Sequence, residues 1–296
     1  MTATTPGRGR ISLALHGTDA VFEELSSAYP LKLLSPRIHR PGLAVAYIIS
    51  YGGGLVSGDS VALAVAVGSG AILVLLSQGS TKVFKFRPGQ RAASTHSSGP
   101  LLTTTQRMDF EVSSGATLLL LPDPVTCFRS AAYNQIQTFR LARDASLVLL
   151  DWVTSGRKSR GEDWAFSRYY SVNEVLVEGR RIARDVMLLE NDDAGPTGLP
   201  PRTLANKLEP YSCYATLILY GPKLQGVIRA LVQEYGRISV FKTGQPAGLL
   251  WSLSGFGDGG VVVRVAGSES EGVRRWVGGL RGLEEIVGTD VWRAFG

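Results

Sequence analysis

Apolar and polar positions alternate at a spacing of two along several stretches of this chain, and each such stretch leads through a small-residue turn into a short apolar run. Val61, Leu63, Val65 and Val67 alternate with smaller residues before SGAILVLLSQGSTKVF, which begins at Ser69. Met108 to Val112 precedes SGATLLLLPDPVTCF from Ser114, and Ile136 to Leu141 precedes DASLVLLDWVTSGR from Asp144. A period of two marks a strand with one face in a core. The repeating unit is therefore strand, turn, strand and a polar exit carrying a threonine: Thr81, Thr126 and Thr154. Such units are expected to form hairpins that stack into layered sheets, with their loops gathered on one side. The copies lie 45 and 29 residues apart, a spacing that argues against a regular solenoid.

The rest of the chain is read around these units. Residues 1–10 are expected to be a disordered basic tail. Arg10 to Leu15 and the proline-bounded Tyr29 to Pro36 read as strands. Ser94 to Arg107 is a Ser/Thr-rich β stretch, and Phe166 to Val172 and Glu174 to Glu178 are further strands, the second ending in a turn at Glu178-Gly179-Arg180-Arg181. Glu190 to Arg202 carries Gly, Pro and acidic residues without periodicity. After it, Ser212 to Tyr220 is a strand and Pro222 to Tyr235 has helical spacing. Leu249 to Leu253 and Gly260 to Ala266 form a hairpin, and Ser270 to Val287 reads as one amphipathic helix. The fold class is mainly β: stacked sheets of repeated strand-turn-strand units with a C-terminal β-α-β-β-α layer carrying two helices. The expected organisation is a tail at 1–10, a β-rich body at 11–188, a loop at 189–203 and an α+β portion at 204–296 packed on the body.

Composition fits this picture. Of the 296 residues 44% are hydrophobic and 19% charged, and 35 are glycine without a collagen period, which suits a folded chain rich in tight turns. The net charge is +6, and Arg129 to Arg184 holds ten Lys/Arg against six Asp/Glu. No basic block is interleaved with aromatics, so nucleic acid is not an expected partner. Cys127 and Cys213 are too few and too far apart for a disulfide framework or a C-x-x-C motif, which favours an intracellular, cytoplasmic setting. No signal peptide and no apolar run of membrane-spanning length is visible.

Candidate chemistry is sparse. The turn GGGLVSGD, with Gly52, Gly53, Gly54 and Gly58, could hold a phosphorylated ligand, but no helix is expected after it and there is no G-K-[ST]. A turn that needs positive φ is the simpler account. Asp59 and Glu162 are single carboxylates that could handle a metal or a proton, or could cap turns. His16, His39 and His96 are isolated, so a preassembled metal site is not expected. Gln78, Thr81 and Lys82 cluster at a loop end without a nucleophile and its base. Arg157, Lys158 and Arg160 beside Glu162 and Asp163 either pair in a solvated loop or present a docking surface with Trp164 as an aromatic anchor.

Taken together, GGGLVSGD, SQGSTKVFK, LPDPVTCF and GRKSRGEDW, in that order, resemble the UreD (also called UreH) family of urease accessory proteins. The likeness is strong over Leu31 to Arg184 and looser over the last third; Ser57 stands where the motif more often has glycine. It implies a non-enzymatic scaffold or chaperone that binds the urease apoprotein and a UreF-like partner, and through that partner a UreG-like GTPase. It also implies nickel passing through an internal tunnel, with Ni²⁺ held transiently and no tightly bound cofactor. On that implication Asp59 and Glu162 are the candidate nickel-path carboxylates. Gly52, Gly53, Gly54, Gly58, Gln78, Thr81 and Lys82 shape the core and its openings, and Arg157, Arg160 and Trp164 are candidate interface residues. The alternative function is a β-rich enzyme binding a phosphorylated small ligand at the glycine turn.

Overall fold

The alternating strands and the wholly apolar strands belong to two different sheets. The computed structural model describes residues 5–85, 103–191, 202–241 and 248–295. The chain opens with β1 (Arg8–His16), β2 (Asp19–Ser27), β3 (Leu31–Leu34), β4 (Leu43–Ser50) and the short β5 (Leu55–Val56). The repeated units follow as β6 (Ser60–Val67), β7 (Ile72–Ser77), β8 (Thr81–Phe84), β9 (Thr104–Val112), β10 (Thr117–Leu121), β11 (Val125–Cys127), β12 (Ala132–Leu141) and β13 (Ser146–Thr154). A hairpin of β14 (Arg168–Val177) and β15 (Arg180–Glu190) comes next. The last third holds α1 (Leu204–Leu208), β16 (Cys213–Tyr220), α2 (Gln225–Phe241), β17 (Leu249–Phe256), β18 (Gly260–Gly267), α3 (Ser270–Gly278), α4 (Leu283–Val287) and α5 (Thr289–Phe295).

The first sheet runs β15-β14-β12-β9-β6-β1-β2, and the second β17-β18-β16-β13-β10-β7-β4-β3, with β5, β8 and β11 forming a side ladder that joins β13. The first sheet buries one face only, so its strands alternate: Val61, Leu63, Val65 and Val67 on β6 point inward. The second sheet is covered on both faces at its centre, where β7 and β10 are buried along nearly their whole length and almost wholly apolar. On β7, Leu73 and Leu75 face the first sheet while Val74 and Leu76 face the helices. Val227, Ile228 and Leu231 of α2, Val273 and Val277 of α3 and Trp292 and Phe295 of α5 close that outer face.

The strand-turn-strand units are not hairpins. The turns at Gly68–Gly70 and Ser113–Gly115 carry the chain from one sheet to the other, and successive copies pair in parallel. Leu43 lies beside Ile72, Ile72 beside Thr117 and Thr117 beside Ser146. The repeat distance is thus 29, then 45, then 29 residues, and the long step spans residues 86–102, outside the described residues. The stack is therefore solenoid-like in its central strands despite the uneven spacing, and the extra length sits in one connection. Part of the expected Ser/Thr-rich stretch and most of the expected loop at 189–203 also fall outside the described residues; Thr104 to Arg107 opens β9.

At the termini the boundaries move. β1 starts at Arg8, within the stretch expected to be a tail, and pairs with both β2 and β6. The C-terminal strands join the second sheet through β13 and β16, antiparallel, rather than forming a sheet of their own. The expected helix over Ser270–Val287 is broken: the Gly279 N–H donates to the Arg275 and Trp276 carbonyls, ending α3, and Gly282 at φ +97° starts a new turn.

Candidate functional site: a buried polar row between the sheets

Parallel register lines up inward-facing residues across the first sheet, and two of the resulting rows are polar. One row reads Val61, Gln106, Gln135, Ser171 and Met187; the next reads Leu63, Met108, Gln137, Asn173 and Asp185. Both begin apolar at β6; the first is polar from β9 to β14 and ends in Met187, and the second is polar from β12 to β15. From the second sheet Asp151 faces them, in phase with Leu147, Leu149 and Val153 on β13.

Asp151 is 6% exposed and accepts four hydrogen bonds. Gln135 Nε2 (2.9 Å) and the Tyr169 hydroxyl (3.3 Å) donate to Oδ1; the Ser171 hydroxyl (2.6 Å) and Asn173 Nδ2 (2.7 Å) donate to Oδ2. The network continues through the Tyr133 hydroxyl, which reaches Gln135 Oε1 (3.1 Å) and Gln106 Oε1 (3.0 Å). Burial pushes the Asp151 carboxyl above its usual range, and the four donors partly offset this. Among the described residues no Lys, Arg or His bonds to it. Burial also raises the phenols of Tyr133 and Tyr169 well above their ordinary value, so both stay protonated. The Gln137 Oε1 and Asn173 Oδ1 atoms are buried and unpartnered among the described residues. Two orphaned oxygens beside an uncompensated carboxylate make a local environment that favours a cation.

The row has two ends. At one, Thr81, Gln106, Gln135, Gln137 and Asp151 line a cavity of about 30 Å³, room for a single water-sized particle. Above it, Asp123 of the LPDP motif accepts from the Gly79 N–H (2.8 Å) and the Ser77 hydroxyl (3.1 Å), and ion-pairs with Arg274 of α3. At the other end Asp185, 8% exposed, accepts from the Thr216 hydroxyl (3.1 Å) and pairs with Arg264. Arg264 in turn lines a groove of about 280 Å³ with Met187, Tyr214, Leu250 and Ser252, between the edge strands β15 and β17.

The residues singled out in the sequence fall in several places. Asp59 caps its own turn, accepting from the Val56 N–H (2.8 Å). Glu162 is tied to Arg157 by two hydrogen bonds (2.9 and 2.5 Å), and Arg157 lies 4.0 Å over the Phe128 ring. That pairing holds the Glu162 carboxyl below its usual range. Neither carboxylate contacts the polar row. Gly52 and Gly53 are exposed in a turn and Gly58 takes φ +87°. Gly54 is buried at φ +156°, and a Cβ there would stand 2.4 Å from the Lys82 carbonyl oxygen, so β8 can approach only a glycine. The turn leads into β5 and not into a helix, which removes the phosphate-loop geometry. Thr81 reaches the cavity, while Gln78 and Lys82 are exposed. Arg160 is exposed, but Trp164 is 2% exposed, with its Nε1 donating to the Tyr211 carbonyl (3.2 Å); it is a core residue and offers no surface anchor.

Among the described residues no group of three or more His, Cys, Asp or Glu side chains is arranged to hold a metal. Burial raises the Cys127 thiol, and the Cys213 thiol to about 12, so neither offers a thiolate. No helix of the described residues is long and apolar enough to cross a membrane.

A family profile described as UreD urease accessory protein matches residues 6–291. The chain belongs to the UreD family. Urease accessory protein 4 of Cryptococcus neoformans var. grubii is 40% identical, over 97% of this chain and 94% of its own length. Urease accessory protein UreD of Sorangium cellulosum is 37% identical over 93% of this chain and 78% of its own, and urease accessory protein D of Arabidopsis thaliana 37% over 76% and 71%. The family is one of maturation factors, and this UreD-family chain is an accessory protein rather than an enzyme.

The polar row was not among the candidates drawn from the sequence. Its signal is present there all the same. Gln135 and Gln137 share the phase of Phe139 and Leu141, Ser171 and Asn173 share that of Val175, and Asp151 interrupts LVLLDWV. A polar residue on the core-facing phase of a strand is the mark of a buried network.

Proposed function

We propose that this chain serves urease maturation as a cytoplasmic scaffold that binds the urease apoprotein and a UreF-like partner, which recruits a UreG-like GTPase, and that Ni²⁺ passes between the two sheets along the polar row. The observation that carries the nickel path is Asp151: a buried carboxylate with four neutral donors and, among the described residues, no cationic partner and two unpartnered oxygens nearby. Carboxylate and amide oxygens bind Ni²⁺ less tightly than imidazole or thiolate, which suits hand-over rather than storage. The path would run from the cavity at Thr81 past Asp151 to Asp185 and the groove at Arg264. A cavity of about 30 Å³ is too small for a hydrated ion, so passage requires the sheets to part or the ion to shed water. Family membership supports the scaffold role, and the carboxylates Asp59 and Glu162 are replaced as nickel-path candidates by Asp151 and Asp185.

The test is reconstitution. The chain is co-purified with the same organism's UreF-like protein, and apo-urease is activated with nickel, the UreG-like GTPase and GTP. Activation that depends on this chain supports the reading. A chain that binds neither partner nor urease, and whose deletion leaves urease active, contradicts it.

A further inference from the structure

Three carboxylates lie along the polar row, and their charges are not matched alike. Asp123 is paired with Arg274 and Asp185 with Arg264. Asp151 has four neutral donors and, among the described residues, no Lys, Arg or His bonded to it. The cavity of about 30 Å³ that it lines has room for one particle the size of a water molecule.

The hydrogen bonds around this cavity are short of protons. Gln106 Oε1 and Gln135 Oε1 lie 3.0 and 3.1 Å from the Tyr133 hydroxyl, which has a single proton to give. Gln135 is held in its orientation, because its Nε2 donates to Asp151 (2.9 Å) and to the Ser171 hydroxyl (3.2 Å). Gln137, 2% exposed, lines the same cavity and its Oε1 is unpartnered among the described residues. The unsatisfied acceptors are all oxygens, the ligand type that hard cations take. A water molecule would supply protons to them but would leave the buried charge of Asp151 uncompensated. A cation meets both needs.

We propose that the cavity is a binding site for a monovalent alkali cation, Na⁺ or K⁺, held by the amide oxygens of Gln106 and Gln137, the Thr81 hydroxyl and Asp151. One positive charge balances the one unpaired carboxylate, whereas a divalent ion would leave an excess charge in a site without imidazole or thiolate. Carbonyl oxygens replace the hydration shell of such monovalent ions where they line a narrow passage. Of the four donors on Asp151 the Tyr169 hydroxyl is the most distant, at 3.3 Å, so it is the one a cation at Oδ1 displaces at least cost. Without the ion the buried charge opposes folding; with it the charge is balanced, and the folded chain gains stability by mass action. The inference rests on the cavity and not on the nickel path, and its test contains neither nickel nor a partner. If both readings hold, Ni²⁺ displaces the alkali ion in passing and is not kept.

Thermal melts of the full chain at pH 7, in NaCl, KCl and tetramethylammonium chloride of equal ionic strength, test it. The expected result is a melting temperature higher by about 3 °C or more in NaCl or KCl, with an increment that saturates as the alkali ion is raised. Gln137→Leu should melt no lower than the parent in tetramethylammonium chloride and should lose the alkali increment. Glu111→Gln, on the exposed face of β9, should keep it. Equal melting of the parent in all three salts would overturn the site, as would an increment that survives in Gln137→Leu or a larger increment with Mg²⁺. Crystals of the parent grown with Tl⁺ in place of K⁺ give a direct reading: an anomalous peak among Gln106, Gln137 and Asp151 supports the site, and a water only in that position overturns it.

Discussion

Gln137 and Phe139 stand two residues apart on β12, face the same way and are equally buried, yet their surroundings have opposite chemistry. The row of Phe139 reads Val65, Phe110, Phe139, Val175 and Ala183, with the Phe110 and Phe139 rings stacked at 4.6 Å. The row of Gln137 ends in Asn173 and Asp185 and faces Asp151. A row of close-packed rings is what a sandwich needs to stay folded. A row of amides around an uncompensated carboxylate is not, because desolvating those groups opposes folding. In the proposed reading the dry row serves stability and the polar row the passage of nickel.

The largest effect expected from this contrast is on the dry side. Phe139→Ala should cost about 3–5 kcal/mol in urea unfolding, because the stacked pair has no means of filling the cavity. A loss below about 1 kcal/mol would mean that Phe139 is not what holds this half together. On the wet side the sign should reverse. Gln137→Leu removes an orphaned oxygen at similar volume and should be neutral or raise stability by about 1 kcal/mol, while slowing urease activation.

The two carboxylates Asp151 and Glu162 separate by their pH trends. Burial raises the folded-state pKa of Asp151, so its ionised form opposes folding, and that cost grows as pH rises from about 4, the usual carboxylate value, through the raised one. The melting temperature of Asp151→Asn relative to the parent should therefore rise between pH 4 and pH 7. Glu162 behaves in the opposite sense. Its pKa is lowered, chiefly by the hydrogen bonds from Arg157, so its contribution is present above the unfolded value and fades as pH falls through the lowered one. Glu162→Gln should lower the melting temperature at pH 7, by less than Phe139→Ala, and should leave nickel activation unchanged. Thermal melts of the three proteins between pH 3 and 7 check both trends; parallel curves would remove the distinction.

Much of the layering was legible from the sequence. Alternation in β6, β9 and β12 marked strands with one face in the core, and LVLL and TLLLL marked the apolar strands of the facing sheet. What remained hidden was the direction of pairing. A strand-turn-strand unit looks the same whether its arms pair with each other or with the next copy, and the 45-residue step concealed a constant register. Gly54 could be seen as a turn glycine, but its contact with Lys82 is long-range and leaves no local trace. The candidate site was hidden for a related reason. Asp59 and Glu162 stand out because they lie in short polar motifs, where capping and ion pairing also place carboxylates. Asp151, Asn173 and Asp185 sit inside strands, where only the phase of each residue shows that it faces inward, and only the register shows that they converge.

The measurement that bears most directly on this account is nickel activation of apo-urease by the reconstituted assembly, comparing the parent chain with Asp151→Asn. The variant keeps the shape of the side chain and one of its two acceptor oxygens but removes the buried charge. The account expects a folded chain, a complex that forms normally and activation reduced at least tenfold. Full activation through an intact complex would show that nickel does not depend on the polar row, and would leave the chain a scaffold whose wet interior has some other purpose.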